Sequence, residues 1–120
     1  MSSLAPSTPD HGRLAVYAAA RAMGAALVDV HDDQTTGERI EAIALDPPDE
    51  LLVLLPARTD RRWFSRLPAR YVCFLHVRAG DGQRSSGSTM SSAVQYIGRN
   101  PEKFRAAFGP LGLLYRQSGE

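Results

Sequence analysis

Residues 58–78 read RTDRRWFSRLPARYVCFLHVR, and the second half of this stretch decides the fold. Tyr71 to Val77 is dense in Val, Phe, Tyr and Cys, the residues a pleated and largely buried position prefers. Alternation sends Tyr71, Cys73, Leu75 and Val77 to one side and Val72, Phe74, His76 and Arg78 to the other. An interior strand of a sheet is therefore expected here. The first half is basic and aromatic, with Arg58, Arg61, Arg62, Arg66 and Arg70 around Trp63 and Phe64. Thr59 to Leu67 reads as a short helix, capped by Thr59 with Asp60 beside the cap and closed by Pro68. Trp63, Phe64 and Leu67 then share one face, with Arg58, Arg62 and Arg66 near the opposite side.

Working toward the N-terminus, Leu51 to Leu55 is a continuous apolar run, short enough for a buried strand. The Asp46-Pro47-Pro48-Asp49 turn precedes it. Arg39 to Leu45 alternates, with Ile40 and Ala42 opposite Arg39 and Glu41. Ala26 to His31 alternates as well, with Ala26, Val28 and Val30 on one side. The polar turn Asp32 to Gly37 between these two segments completes the pattern of a hairpin. Helical spacing runs from Leu14 through Val16, Ala19 or Ala20, Met23 and Leu27, with Gly24 as a stop or point of close packing. Thr8-Pro9-Asp10 suits the start of that helix, and residues 1–9 read as a disordered tail.

Toward the C-terminus, Ala79 to Thr89 reads as a polar loop. Ser91 or Ser92 suits the cap of a helix through Val94 and Ile97, ending at Gly98. Asn100-Pro101-Glu102 gives a second start, combining a cap, a first-turn proline and an acid at the positive helix end. Phe104, Ala107 and Phe108 form its inner stripe, and Gly109-Pro110 stops it. Leu111 to Tyr115 is a last strand or packed tail. Residues 10–120 are thus expected to form a single α+β domain. Its sheet is mixed and mainly antiparallel, with four to five strands and with the N-terminal helix and C-terminal helices packed on one face.

A length of 120 residues, 43% hydrophobic and 22% charged, suits one globular domain with a genuine core. One cysteine excludes an intramolecular disulfide. The first ten residues lack the basic start and apolar run of a secretory signal. Leu14 to Val28 is too short, too rich in Ala and interrupted by Arg21, so no membrane span is expected. The reading is a cytoplasmic protein. The net charge of +1 conceals a polarity. Residues 1–57 hold three arginines against nine carboxylates, a net of −6, whereas residues 58–105 hold ten cations against three, a net of +7. Such asymmetry suits an acidic or polyanionic partner for the basic half, or neutralisation of one half by the other across the fold or across a self-associating interface. Thirteen of the fourteen basic residues are Arg, the better residue for forked contacts to phosphate or carboxylate, although GC-rich codon usage yields the same bias.

No catalytic set emerges. Asp29, His31 and Asp33 at i, i+2 and i+4 would project to one side of a strand, with His76, on a different strand, as the only sensible extra imidazole. They are the candidates for a divalent metal, set against a solvent-facing strand end. Cys73 and His76, three apart on one strand, point to opposite faces and so do not pair as nucleophile and base. Cys73 reads as a small core hydrophobe. Gly80-Asp81-Gly82 followed by Gln83, Arg84 and Ser85 is a broken dinucleotide fingerprint, with too little chain after it for a nucleotide-binding half. The Ser85–Ser92 region offers hydroxyls for an anion or is simply a loop. No cofactor is called for. What remains is a contact surface built from Arg58, Arg61, Arg62, Trp63, Arg66 and Arg70, extended by Arg99, Lys103 and Arg105. Its target is a protein partner, acidic in character, with nucleic acid as the alternative because Arg tracks phosphates and exposed aromatics stack on bases. A metal-dependent enzyme around Asp29, His31 and His76 is the third reading.

Overall fold

A computed structural model describes residues 11–31, 33–76 and 92–117. The order of elements is α1 (His11–Met23), β1 (Leu27–Asp29), α2 (Thr36–Leu45), β2 (Leu51–Pro56), a 3-10 helix (Arg62–Ser65), β3 (Tyr71–Leu75), β4 (Ser92–Ile97), α3 (Pro101–Phe108), a 3-10 turn (Gly109–Leu111) and β5 (Gly112–Arg116). The five strands form one mixed sheet in the order β1-β2-β4-β3-β5. Only β1 and β2 run parallel, and every other neighbouring pair is antiparallel. The α+β class, the five strands and the interior place of β3 agree with the sequence reading. Val77, residues 1–10 and the loop from Ala79 to Thr89 lie outside the described residues.

Helix α1 ends where a chain stop was expected. Gly24 takes a positive φ of 72°, its N–H donates to the Arg21 carbonyl, and the Ala25 N–H reaches back to Ala20. This double closure satisfies carbonyls that the last turn would otherwise leave open. Asn100 caps α3 as anticipated, accepting the Lys103 N–H at 3.2 Å with Pro101 in the first turn.

Three segments depart from expectation. Arg39 to Leu45 is not a hairpin strand but most of α2, because Ile40, Ile43 and Ala44 recur at the three-four spacing of a helix and pack together on the sheet. Its start is organised by Thr36, whose hydroxyl accepts the Asp33 N–H at 2.8 Å and donates toward the Asp33 and His31 carbonyls. The expected hairpin is thereby replaced by a strand–helix–strand crossover between parallel β1 and β2. The second departure is Ser92 to Ile97, read as a capped helix and found as β4, the middle strand of the sheet, with residues 93–97 fully buried. Val94 and Ile97 fit helical spacing by coincidence, while the β-forming Val, Tyr and Ile pair with β2 on one side and β3 on the other. The Thr59–Leu67 helix shortens to one 3-10 turn, entered through Arg61 without a side-chain cap.

The sheet is covered on both faces rather than one. On the first, Val16, Ala19, Ala20 and Met23 of α1 and Phe104 and Phe108 of α3 pack on Leu52, Leu54, Cys73, Val94 and Tyr96. On the second, Ile40 of α2 joins Phe64, Leu67 and Ala69 over Leu51, Val53, Leu55, Val72, Ala93 and Ile97. Strand alternation divides the two sets, as the period of two requires. Glycine permits the closest approach at Gly112, where an added Cβ would lie 2.1 Å from the Phe74 carbonyl oxygen across the β3–β5 pair.

Candidate functional site

The basic-aromatic segment is a run of turns held down on the second face. Backbone hydrogen bonds from the Arg61 N–H to the Arg58 carbonyl, from Phe64 to Arg61 and from Arg66 to Trp63 wind it tightly. Phe64 and Leu67 supply the buried anchors. The fully buried Gln95 of β4 donates its side-chain amide to the Phe64 carbonyl at 2.7 Å, tying the segment to the middle of the sheet. Gln95 Oε1 has no partner among the described residues.

Pinning the segment this way sorts its cations. Arg58 forks onto Asp60 with two 3.0 Å bonds, which lowers the Asp60 carboxyl below its usual range. Arg66 forks onto Glu41 of α2 with two 2.8 Å bonds. Arg61, Arg62 and Arg70 are exposed and form no ion pair among the described residues. Arg99, Lys103 and Arg105 are not part of this surface: they border or belong to α3, whose Phe104 and Phe108 pack on the opposite face of the sheet. There Lys103 lies 3.4 Å from Glu50, whose carboxylate also accepts the Tyr96 hydroxyl at 2.6 Å. Burial, then that acceptor, raise the Tyr96 pKa. The nine residues grouped by sequence thus divide into six on one side and three on the other.

Trp63 is half-buried and begins a file of rings. It lies 6.3 Å from Phe64, Phe64 stacks on Phe74 at 6.1 Å, and Phe74 meets Tyr115 edge-on at 5.5 Å. The first three rings rest on the second core, but Tyr115 is 54% exposed and its neighbour on the same face of β5, Leu113, is 55% exposed. These large apolar groups keep the spacing of interior residues but stand open to water. Neither Leu113 nor Tyr115 stood out in the sequence. Their signal was the alternation in Gly112–Arg116, which separates them from the inward Leu114, but their exposure depends on how far the 3-10 helix reaches across the sheet.

The other candidate positions do not converge. The expected common side of Asp29, His31 and Asp33 is lost because β1 ends at Asp29 and a turn begins at His31. Asp29 faces α1, pairing with Arg13 and lying 3.4 Å from the Tyr17 hydroxyl. Asp33 accepts the Thr35 amide and hydroxyl, which hold its carboxyl below the usual range. His31 and His76 are exposed, and among the described residues no three His, Cys, Asp or Glu side chains gather as a metal site. Cys73 is fully buried, with its pKa pushed up from 9.0 to about 11 by that burial, and its thiol donates to the Phe108 carbonyl. A thiol in that state is a poor nucleophile. Among the described residues no helix is long and apolar enough to cross a membrane. No protein-family model, curated protein or solved structure matches the chain.

Proposed function

We propose that this chain is a small non-catalytic protein-binding module, working as an adaptor, inhibitor or complex subunit. Its contact surface is the file Trp63, Phe74, Tyr115 and Leu113, bordered by Arg61, Arg62 and Arg70. The observation that carries the reading is the emergence of this file from the core into half-exposed Leu113 and Tyr115. Aromatic residues and arginines are the side chains that dominate protein interfaces, the rings supplying desolvated area and the guanidinium groups a charged margin. Recognition of an acidic partner follows from the three uncommitted arginines. Nucleic acid is the weaker target because two arginines of the segment are engaged by carboxylates and the α3 cations lie over the opposite face, so no continuous basic stripe runs among the described residues.

The test is affinity capture with the full chain and two variants, Arg62→Glu and Trp63→Ala. One defined protein is expected with the parent and lost with both variants. Retention of every partner by both variants would remove the surface from consideration. Salt-sensitive binding of single-stranded or duplex nucleic acid, weakened by the same variants, would replace the protein reading with its alternative.

A further inference from the structure

We infer that the occupant of the β5 part of this surface is a second copy of the chain, paired strand to strand about Leu114. This rests on the reading of the surface as a protein contact and names its partner. Among the described residues, strand β5 is an edge of the sheet, with β3 as its only strand neighbour. The His76 amide donates to Leu111 and the Gln117 amide to Arg70, so residues 111, 113, 115 and 117 turn their backbone groups toward β3. In an antiparallel ladder the intervening Gly112, Leu114 and Arg116 then turn theirs outward. An exposed row of this kind is a template for another strand, and Gly112 to Tyr115 carries no charge or proline to block it.

The sequence of β5 is complementary to itself in one register. A two-fold axis through Leu114 sets Leu114 against Leu114, Gly112 against Arg116, and Leu113 against Tyr115. The Leu114 amide of each copy donates to the Leu114 carbonyl of the other, and each Arg116 amide donates to the facing Gly112 carbonyl. The Gly112 amide already donates to Gly109, so these four bonds are the full set. Leu113 and Tyr115 fall at the pair without hydrogen bonds, where facing side chains come closest. Each half-exposed Leu meets a half-exposed Tyr, and the like-charged Arg116 side chains face glycine instead of one another. Moving the axis to Arg116 would oppose the two arginines, and moving it to Leu113 would separate Leu113 from Tyr115. An isologous contact requires this kind of self-match. The interface is small beside the roughly 1,600 Å² of a standard complex, so the dimer dissociates on dilution.

The experiment exploits the register. Sedimentation of the full chain from micromolar to near-millimolar concentration is expected to show one chain passing to two. Leu113→Lys and Tyr115→Asp alter exposed positions, and each alone is expected to weaken the dimer on the order of tenfold. Mixed together they should recover a heterodimer, seen by native mass spectrometry, because Lys at 113 of one variant then faces Asp at 115 of the other. Circular dichroism of each variant checks that the fold persists. A parent chain that stays single at every concentration overturns the pairing, as do two variants that each dimerise like the parent, or a mixture that recovers nothing. A single-chain protein that still captures a partner through Trp63 overturns the pairing and leaves the protein-contact reading standing.

Discussion

On the face covered by α1 and α3, the core extends to the edge of the sheet. Leu114 of β5 packs there beside Cys73 and Leu75, and Tyr96, Phe104 and Phe108 form a continuous stack with ring separations of 5.1 and 5.0 Å. On the face covered by α2 and the 3-10 helix, an equally apolar surface continues onto β5, but the cover does not. The rings pass from buried Phe64 through half-buried Phe74 to exposed Tyr115. The same strand is therefore packed on one side, through Leu114, and open to water on the other, at Leu113 and Tyr115.

The largest effect should come from the closed face. Phe104→Ala removes the middle ring of the stack and is expected to cost about 3–5 kcal/mol in urea unfolding. Leu113→Ala on the open face should cost under about 1 kcal/mol, since water already reaches that side chain. Equal losses would erase the contrast. Gly112→Ala should come next, at about 1–3 kcal/mol, because the new methyl meets the Phe74 carbonyl and pushes β5 away from both faces. Hydrogen exchange at the Gln117 amide should then accelerate, and an unchanged rate would show that the strand tolerates the methyl.

A smaller effect follows from the thiol. The folded-state pKa of Cys73 is raised, so its stabilising contribution is complete below pH 9 and is lost as pH rises through about 11. Comparing alkaline unfolding of the parent with Cys73→Ala should show the steeper decline in the parent across that window. A disulfide reagent should label Cys73 only as fast as the closed face opens. The smallest effect belongs to Arg66 and Glu41, each 46% exposed. Arg66→Ala should change stability by under about 0.5 kcal/mol despite the forked geometry. A larger loss would mean that the pair holds α2 against the 3-10 helix.

How much of this was legible in the sequence depends on whether the deciding contact is local. Gly24, Asn100-Pro101 and the run Leu51–Leu55 act through their own backbone, and each appears where the letters place it. Arg39–Leu45 and Ser92–Ile97 were misread because their spacing satisfies two periods at once. Ile40 with Ala42 imitates a strand, and Val94 with Ile97 imitates a helix. Pairing with β2 and β3 settled the second case, and the sheet beneath α2 settled the first. The site divides in the same way. The cluster of Arg61, Arg62 and Trp63 is visible as letters, whereas Leu113 and Tyr115 enter through contacts with Phe74, some forty residues earlier in the chain.

The strand order carries a consequence for how the chain is made. Its middle strand, Ser92–Ile97, follows Leu51–Pro56 in the chain only after the 3-10 helix and β3, yet it is the hydrogen-bonding neighbour of that earlier strand. Until it arrives, the run Leu-Leu-Val-Leu-Leu has β1 on one side and an open strand edge on the other. An apolar, uncharged segment of that length is a typical nucleus for aggregation while it waits. Arrival of β4, rather than any early helix, is the event that protects it.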